Sequence, residues 1–100
     1  MNSIARIKEL IREDKFLISQ HARIRMFQRN ASTDDIKSVI TNGEILEDYR
    51  NDEPCPSVLM LGFIGTIPYH VVVAECEDHL RLITIYIPEA DRWQDYRRRR

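Results

Sequence analysis

The first third of the chain carries apolar residues at the three- and four-residue spacing of amphipathic helices. This pattern predicts a helix over residues 3–13, followed by a short apolar run at residues 16–18. A second helix is predicted over residues 19–30. The hydroxyl of Ser19 can cap its first backbone N–H groups, and Asn30 tolerates the left-handed conformation of a helix end.

A third helix is predicted immediately after the second. Ser32, with Asp35 three positions later, is a variant of the capping box that marks a helix start. Apolar residues at helical spacing then form the buried side of this helix. Gly43 ends it, and we expect this glycine to supply the positive φ of a C-cap.

From residue 44 onwards the period of apolar residues changes from helical to alternating, which is typical of strands. Four strands are predicted, at residues Glu44–Tyr49, Ser57–Ile64, 69–75 and 80–87. Connections of hairpin length predict an antiparallel order. The predicted fold class is therefore α+β, with N-terminal helices packed on a four-stranded antiparallel β-sheet. Residues 1–96 form a single globular domain, in which Trp93 packs back on the sheet, and residues 97–100 form a basic C-terminal tail.

The alternation also assigns residues to the two faces of the sheet. In the fourth strand Ile83, Ile85 and Ile87 point to one face, which we expect to pack on the helices. His70 of the third strand and Tyr86 of the fourth then lie on, or at the rim of, the opposite and more open face.

Composition places the chain among ordinary soluble domains, with 43% hydrophobic and 31% charged residues. No stretch approaches the roughly 18 apolar residues of a membrane span. Charges recur every few residues at the N-terminus, so it lacks a signal-peptide core. These features predict a cytoplasmic protein that has no membrane partner.

The net charge of −1 is unevenly distributed along the chain. Four arginines at residues 97–100 contribute +4, so residues 1–96 carry a net charge of −5. Such a run is typical of a solvated, disordered end, although it can also contact RNA, DNA or an acidic partner.

The two cysteines, Cys55 and Cys76, lie far apart and lack the CxxC spacing of a metal site. With three scattered histidines they could hold a metal, but a buried Cys76 in a strand and a loop Cys55 are the simpler interpretation. The sequence predicts neither a metal nor a cofactor.

One row of side chains on the second helix stands out for its chemistry. His21, Arg25 and Arg29 are spaced i, i+4, i+8, so they stack along one side of the helix. Like charges in this arrangement repel each other, and a fold gains nothing from them without an anionic partner. That partner is either a structural carboxylate or a phosphate.

Several short motifs occur in order along most of the chain, from about residue 16 to residue 93. They are Ser19-x-His21-Ala22-x-x-Arg25-Met26-x-x-Arg29, Gly43-Glu44-Ile45-x-Glu47-Asp48-Tyr49, Pro56-Ser57, Pro68-x-His70-Val71-Val72 and Ile83-Thr84-x-Tyr86-x-Pro88. Together they resemble a small prokaryotic family of unknown function that is marked by a His-Ala-x-x-Arg-Met helix.

This resemblance implies a fold similar to the RelE, ParE and MqsR toxins, within the barnase-like group of microbial ribonucleases. It also implies the toxin half of a toxin–antitoxin pair, with a cognate antitoxin protein as partner. The chain departs from the family pattern at Thr66-Ile67, where members often carry an arginine near the motif proline. If that arginine contacts phosphate in relatives, this protein lacks it. The catalytic residues of RelE-type toxins find no matching motif here.

RNA cleavage without a metal needs a base for the 2′-OH proton, an acid for the leaving 5′-oxygen and cations for the phosphorane. His21 is the best base or acid, because imidazole titrates near neutral pH, and His70 is the complementary group. Arg25 and Arg29 suit phosphate, and Tyr86 can contact a base. The sequence therefore predicts a metal-independent endoribonuclease with catalytic His21, Arg25 and His70 and substrate-binding Arg29 and Tyr86.

Each of these residues also has a structural interpretation. His21 and His70 can be hydrogen-bonded residues of a packed core, while Arg25 and Arg29 can pair with the acidic strand at residues 44–48. The alternative function is a non-catalytic protein-binding module with an internal His/Arg/Glu cluster, which the acidic body favours. A solvent-open His/Arg cluster favours the enzyme, and a cluster buried against the acidic strand favours the module.

Overall fold

Three helices and a five-stranded mixed sheet form the body of the computed structural model, which describes residues 4–100. The predicted helix start at Ser3 lies outside the described residues. The elements in chain order are α1 (Ile4–Arg12), β1 (Phe16–Ile18), α2 (Gln20–Gln28), α3 (Thr33–Thr41), β2 (Glu44–Tyr49), β3 (Ser57–Ile64), β4 (Ile67–Glu75), β5 (Leu80–Tyr86), β6 (Trp93–Gln94) and β7 (Arg98–Arg99). The sheet order is β1-β5-β4-β3-β2, and β6 and β7 form a separate hairpin.

The α+β class is confirmed, but the four-stranded antiparallel sheet is wrong. The apolar run at residues 16–18 forms a fifth strand, β1, which pairs parallel with β5, with Phe16 opposite Leu80. The remaining neighbours in the sheet, from β2 to β5, are antiparallel as predicted. A three-residue strand has too few positions to show alternation, and its partner lies more than sixty residues away along the chain.

The predicted helix boundaries around α2 and α3 are confirmed by their caps. Ser19 Oγ accepts from the backbone N–H of Ala22 at 3.0 Å. Ser32 and Asp35 form both hydrogen bonds of a capping box. Asn30, two residues after α2, adopts the left-handed conformation with φ of 56°. These local signals lie within a few residues of each helix end, so the sequence alone reveals them.

Gly43 ends α3 for a different reason from the predicted one. Gly65 is the only glycine with positive φ among the described residues, so Gly43 does not form a left-handed cap. A Cβ at position 43 would instead lie 2.5 Å from the carbonyl oxygen of Val39 and 2.9 Å from that of Leu61. Glycine is required because the helix end and β3 approach each other closely here.

One face of the sheet packs on all three helices. The fully buried cluster contains the apolar side of each helix together with inward residues of β3, β4 and β5, such as Met60, Val71 and Ile85. In β4 the predicted faces are confirmed, since Tyr69, Val71 and Val73 belong to this cluster and His70 does not.

The predicted isoleucine face of β5 is only partly correct. Ile85 is fully buried and Ile87 packs against the core, but Ile83 is 38% exposed and Leu82 is buried in its place. A β-bulge causes the change, because Val72 pairs with Thr84 while the next residue, Val73, pairs with Leu82. The extra residue reverses the in-and-out alternation along the strand.

The C-terminal segment covers part of the opposite face. Trp93 is buried there, as predicted, and its ring contacts that of His70 with a centroid distance of 4.4 Å. Residues 97–100 are exposed, as expected of a solvated end, but they are not disordered. Trp93 pairs with Arg99, and Gln94 with Arg98, in the β6–β7 hairpin.

The predicted loop position of Cys55 is confirmed, but Cys76 is half-buried and follows a strand instead of lying buried within one. Cys55, in the loop between β2 and β3, and Cys76, directly after β4, form a disulfide with a Cα–Cα distance of 5.2 Å. The β2–β3 loop folds back towards the end of β4, which brings the two thiols together across 21 positions of sequence. Separately, none of the described helices is long and apolar enough to cross a membrane.

Candidate functional site

A groove lies between α2 and the C-terminal segment, at the end of β5. Its volume is about 860 Å³, and arginine is its commonest lining residue. The lining consists of Arg25, Arg29, Tyr86, Ile87, Pro88, Glu89, Asp91, Arg92, Trp93, Arg99 and Arg100. We call this surface the arginine groove. Five guanidiniums oppose two carboxylates, so the groove is positive although the chain as a whole carries −1.

Two of the predicted residues, Arg25 and Arg29, enter the arginine groove from α2. Arg25 is half-buried within α2. Arg29, one helical turn later at the C-cap, is exposed. Within the described residues neither guanidinium forms an ion pair or a side-chain hydrogen bond. Both therefore keep their full capacity to bind an anion from solution.

The predicted pairing of Arg25 and Arg29 with the acidic strand β2 is wrong. Glu44 pairs with Arg97 at 2.5 Å, and Glu47 accepts two hydrogen bonds from Arg99, at 2.9 and 3.1 Å. Arginines of the C-terminal segment occupy these carboxylates, so the row on α2 stays free. The two sets of arginines therefore differ in their partners: Arg97 and Arg99 pair with β2, and Arg25 and Arg29 do not.

Glu47 and Arg99 form the centre of a small network beside the groove. The Arg99 hydrogen bonds are the main reason that the pKa of Glu47 is lowered and that of Arg99 is raised. Tyr49 donates its hydroxyl to Glu47, and burial raises the pKa of that phenol. Arg99 also lies over the Trp93 ring, 4.7 Å from its centroid. These contacts hold the C-terminal hairpin on the sheet.

His70 lies directly behind the groove and is fully buried. Its Nε2 lies 2.6 Å from the backbone carbonyl of Tyr96, and its Nδ1 lies 3.2 Å from the hydroxyl of Tyr86. A carbonyl can only accept, so Nε2 carries the proton in the neutral ring and Nδ1 accepts from Tyr86. Burial lowers the pKa of His70, which keeps the ring neutral at neutral pH.

Tyr86 connects His70 to the groove. Its ring is half-buried and lines the groove, while its hydroxyl points to Nδ1 of His70. Burial raises the pKa of this phenol, so it stays protonated at neutral pH and acts as a donor. The predicted location of His70 and Tyr86 on one face is confirmed, and the rings contact edge to face at 5.2 Å.

His21 does not join the lining of the groove. It is exposed on α2, one helical turn before Arg25, and none of the described residues forms a hydrogen bond with its ring. The structure therefore brings together Arg25, Arg29 and Tyr86, with His70 behind them, and places His21 at the end of the row.

The sequence missed three arginines of the groove. Arg99 and Arg100 belong to the predicted basic tail, and no sequence motif marks Arg92. The run at residues 97–100 shows positive charge in the sequence, but the position of these arginines in the fold depends on the β6–β7 hairpin. Asp95 and Tyr96 form the turn of this hairpin, and both adopt the left-handed conformation. Residues other than glycine rarely adopt it, so the sequence does not indicate a turn here.

The groove can bind a polyanion that carries flat rings. Guanidiniums match phosphate oxygens in pairs, and the edges of Tyr86 and Trp93 offer aromatic surface beside them. Among the described residues, no three His, Cys, Asp or Glu side chains are grouped so that they could hold a metal ion.

Comparison with known families identifies one match. The domain of unknown function DUF4258 matches residues 18–87, which include α2, α3, strands β2 to β5 and the residues Arg25, Arg29, His70 and Tyr86. No curated protein and no solved structure matches the chain.

Proposed function

Because the chain belongs to the DUF4258 family, whose function is unknown, we propose its function from the arginine groove: the protein binds RNA there and cleaves it. The proposed reaction is that of a metal-independent endoribonuclease. The observation that carries the proposal is the pair of guanidiniums without an ion-pair partner among the described residues, Arg25 and Arg29, that line the groove together with Tyr86. A fold that leaves two cations unpaired beside an aromatic ring favours a phosphate-bearing ligand.

In the proposed reaction a base removes the proton of a ribose 2′-OH, and the oxygen attacks the adjacent phosphorus. The bond from phosphorus to the 5′-oxygen breaks, that oxygen takes up a proton, and a 2′,3′-cyclic phosphate remains. Arg25 and Arg29 stabilise the charge that develops on the phosphorane. The five guanidiniums of the groove outnumber its two carboxylates, so arginine side chains are the proposed source of this stabilisation.

The proton transfers involve the two histidines and Tyr86. His21 is exposed and one turn from Arg25, where it can reach the 2′-OH of a bound strand. His70 is fully buried, so it acts on RNA only through Tyr86. Its Nδ1 lies 3.2 Å from the Tyr86 hydroxyl oxygen. Tyr86 stays protonated and is the proposed acid: its hydroxyl turns away from Nδ1 of His70 and donates its proton to the leaving 5′-oxygen.

The biological setting that we propose is that of a toxin with a cognate antitoxin protein. The support is the motif resemblance described for the sequence, which implies a fold similar to the RelE, ParE and MqsR toxins. A free ribonuclease damages its host, so a protein partner that covers the arginine groove fits this activity.

The experiment is induced expression in a bacterial host, with growth and total RNA integrity followed in parallel. We expect growth arrest and RNA cleavage for the wild type, and strong attenuation of both for His21→Ala and for Arg25→Ala/Arg29→Ala. The matched control is Arg12→Ala, which removes an exposed arginine of α1 outside the groove. Normal growth and intact RNA with soluble, folded wild type would refute the proposal.

A second candidate is the non-catalytic protein-binding module. The observation that favours it is the cluster of His70, Trp93, Arg99 and Glu47. It differs from the predicted His/Arg/Glu cluster, because Arg99 takes the place expected for Arg25 and Arg29. Such a cluster can serve stability alone. If purified, folded protein neither binds nor cleaves RNA, this function replaces the first.

A further inference from the structure

The free edge of β1 lies in a second cleft, which is separate from the arginine groove. This cleft has a volume of about 560 Å³ and follows the strand along its length. Its lining is Phe16, Leu17, Ile18, Ser19, Arg23, Thr33, His79 and Arg81. We call it the edge cleft. It shares no residue with the arginine groove.

The backbone of β1 offers unused hydrogen-bonding groups to this cleft. The carbonyl of Lys15 and the N–H of Ser19 both bond to β5, at 2.9 and 3.0 Å. Successive residues of a strand point their backbone groups to opposite edges, so residues 15, 17 and 19 face β5. The N–H and C=O groups of Phe16 and Ile18 therefore face the edge cleft, where they can pair with another strand.

Side chains flank this edge on both faces of the sheet. Leu17 and Arg81 are register partners and lie together on the face away from the helices, where Leu17 is 60% exposed. Arg23 of α2 and Thr33 of α3 line the cleft from the helix side. An added strand would alternate its side chains between these two faces and meet a guanidinium on each.

The charges of the edge cleft are unbalanced. Within the described part of the chain, neither Arg23 nor Arg81 forms an ion pair, and both are exposed. No carboxylate of the described residues lines the cleft itself. Asp78, next to His79 in the chain, is paired with that ring at 2.8 Å. Asp52 and Glu53 line a separate pocket, which shares Ser19 and Arg81 with the cleft. A partner that brings its own carboxylates would complement the two arginines.

We propose that the edge cleft binds an extended acidic segment of a partner protein, which adds to the sheet as a strand beside β1. The backbone groups of Phe16 and Ile18 supply the pairing, and Arg23 and Arg81 select acidic side chains. An apolar side chain of the segment covers Leu17. The proposal does not depend on RNA cleavage, because it rests on different residues.

The test begins with a displayed library of short random peptides, selected on the full-length protein. We expect strand-forming, acid-rich peptides, whose affinity falls about tenfold or more in Arg23→Glu/Arg81→Glu. Arg12→Glu/Arg98→Glu makes the same change in charge elsewhere on the exposed surface and should leave binding unchanged. Circular dichroism of each variant shows that the fold is retained, which is expected of exposed residues.

Strand addition is then distinguished from a merely electrostatic contact. We expect the bound peptide to protect the amide protons of Phe16 and Ile18 from exchange, and N-methylation of alternate peptide residues to abolish binding. Selected peptides without acidic preference, binding that survives the double charge reversal, or unprotected Phe16 and Ile18 amides would overturn the proposal. So would protection of these amides by a short RNA or by raised protein concentration alone, which assigns the cleft to nucleic acid or to a second copy.

Arg25→Ala/Arg29→Ala separates this proposal from the proposed function. This variant should lose RNA cleavage while it keeps the affinity for the selected peptide. Loss of peptide binding in that variant would place the peptide in the arginine groove and contradict the edge cleft.

Discussion

His70 is the residue with the most constrained environment in the protein. It is fully buried, its two ring nitrogens are both engaged, and rings of Tyr86 and Trp93 contact it. Nothing in the described surroundings donates to Nδ1 except the Tyr86 hydroxyl, so the neutral ring with the proton on Nε2 is the form that fits. The burial of this titratable group makes stability depend on pH.

We predict that His70 destabilises the fold on acidification. The imidazole of an unfolded chain has a pKa of about 6.5, and burial lowers the pKa of His70 below that value. Below about pH 6.5 the unfolded state therefore binds more protons than the folded state, and the free energy of unfolding falls until the pH reaches the folded-state pKa.

Urea unfolding at several pH values between neutral and about pH 5 checks this prediction. His70→Gln keeps an N–H donor for the Tyr96 carbonyl but does not titrate. The wild type should lose more stability on acidification than this variant. Parallel stability curves for the two proteins would show that His70 takes up its proton equally in both states.

At the scale of elements, close packing between α3 and the sheet requires two glycines. A Cβ at Gly62 would lie 2.4 Å from the carbonyl oxygen of Val39 and 2.7 Å from its Cγ1. The neighbouring Gly43 meets the same carbonyl. The helix therefore packs directly against the backbone of β2 and β3, and no side chain can stand between them.

We predict that Gly62→Ala destabilises the protein by about 1–3 kcal/mol, because the added methyl group must displace a backbone carbonyl rather than a flexible side chain. Chemical denaturation measures the change. Gly65→Asn is the control: the turn position has φ of 62° and open space around it, and asparagine tolerates that conformation. A Gly62→Ala protein as stable as the wild type would show that α3 packs more loosely.

At the same scale, the disulfide connects two elements of the sheet. It joins the β2–β3 loop to the end of β4, across 21 positions. Constraint of the unfolded chain by a loop of this length contributes about 3 kcal/mol. We predict that Cys55→Ser and Cys76→Ser each lower the free energy of unfolding by about that amount under oxidising conditions. Reductant should lower the wild type to the same level and leave both variants unchanged; an unchanged wild type would refute this.

The elements themselves were largely predictable, because their signals are local. Ser19, Ser32 and Asp35 mark helix starts through contacts within three residues. The bulge at Ile83 was not predictable, since an alternating run reads the same with or without an extra residue, and only the pairing with β4 reveals it. The partnership of β1 and β5, like that of Cys55 and Cys76, depends on long-range contacts with no local signal.

The same division applies to the candidate site. The helical spacing of Arg25 and Arg29 was sufficient to place them on one side of α2, and strand alternation placed His70 and Tyr86 together. The sequence did not show that His70 is covered, because the cover is a hairpin with two left-handed residues. Nor did it show that Glu44 and Glu47 are already paired with the last arginines.

At the scale of the whole molecule, charge is concentrated rather than balanced. Residues 1–96 carry −5, yet the arginine groove gathers five guanidiniums at one end of the sheet. Two of them, Arg25 and Arg29, have no anionic partner among the described residues. This local excess, and not the net charge, is what an approaching polyanion meets.

We predict that the affinity for RNA falls with salt concentration, and that part of this dependence comes from phosphate contacts of Arg25 and Arg29. Each phosphate contact on a single strand releases counterions and contributes about 0.7 to the slope of log affinity against log salt. Arg25→Ala/Arg29→Ala should weaken binding and reduce the slope by about 1–2. Fluorescence polarisation with a labelled RNA measures both. Weaker binding with an unchanged slope would mean that these guanidiniums do not touch phosphate.

The most direct test of the central claim is cleavage of a defined RNA by the purified protein in EDTA, with product ends identified by mass spectrometry. The account predicts products ending in 2′,3′-cyclic phosphate, no cleavage of the same RNA carrying 2′-O-methyl groups, and greatly slowed cleavage by Arg25→Ala/Arg29→Ala. Cleavage that needs a divalent metal, or that proceeds on the methylated RNA, would contradict the proposed reaction. Intact RNA with folded protein would leave the arginine groove as a binding surface only.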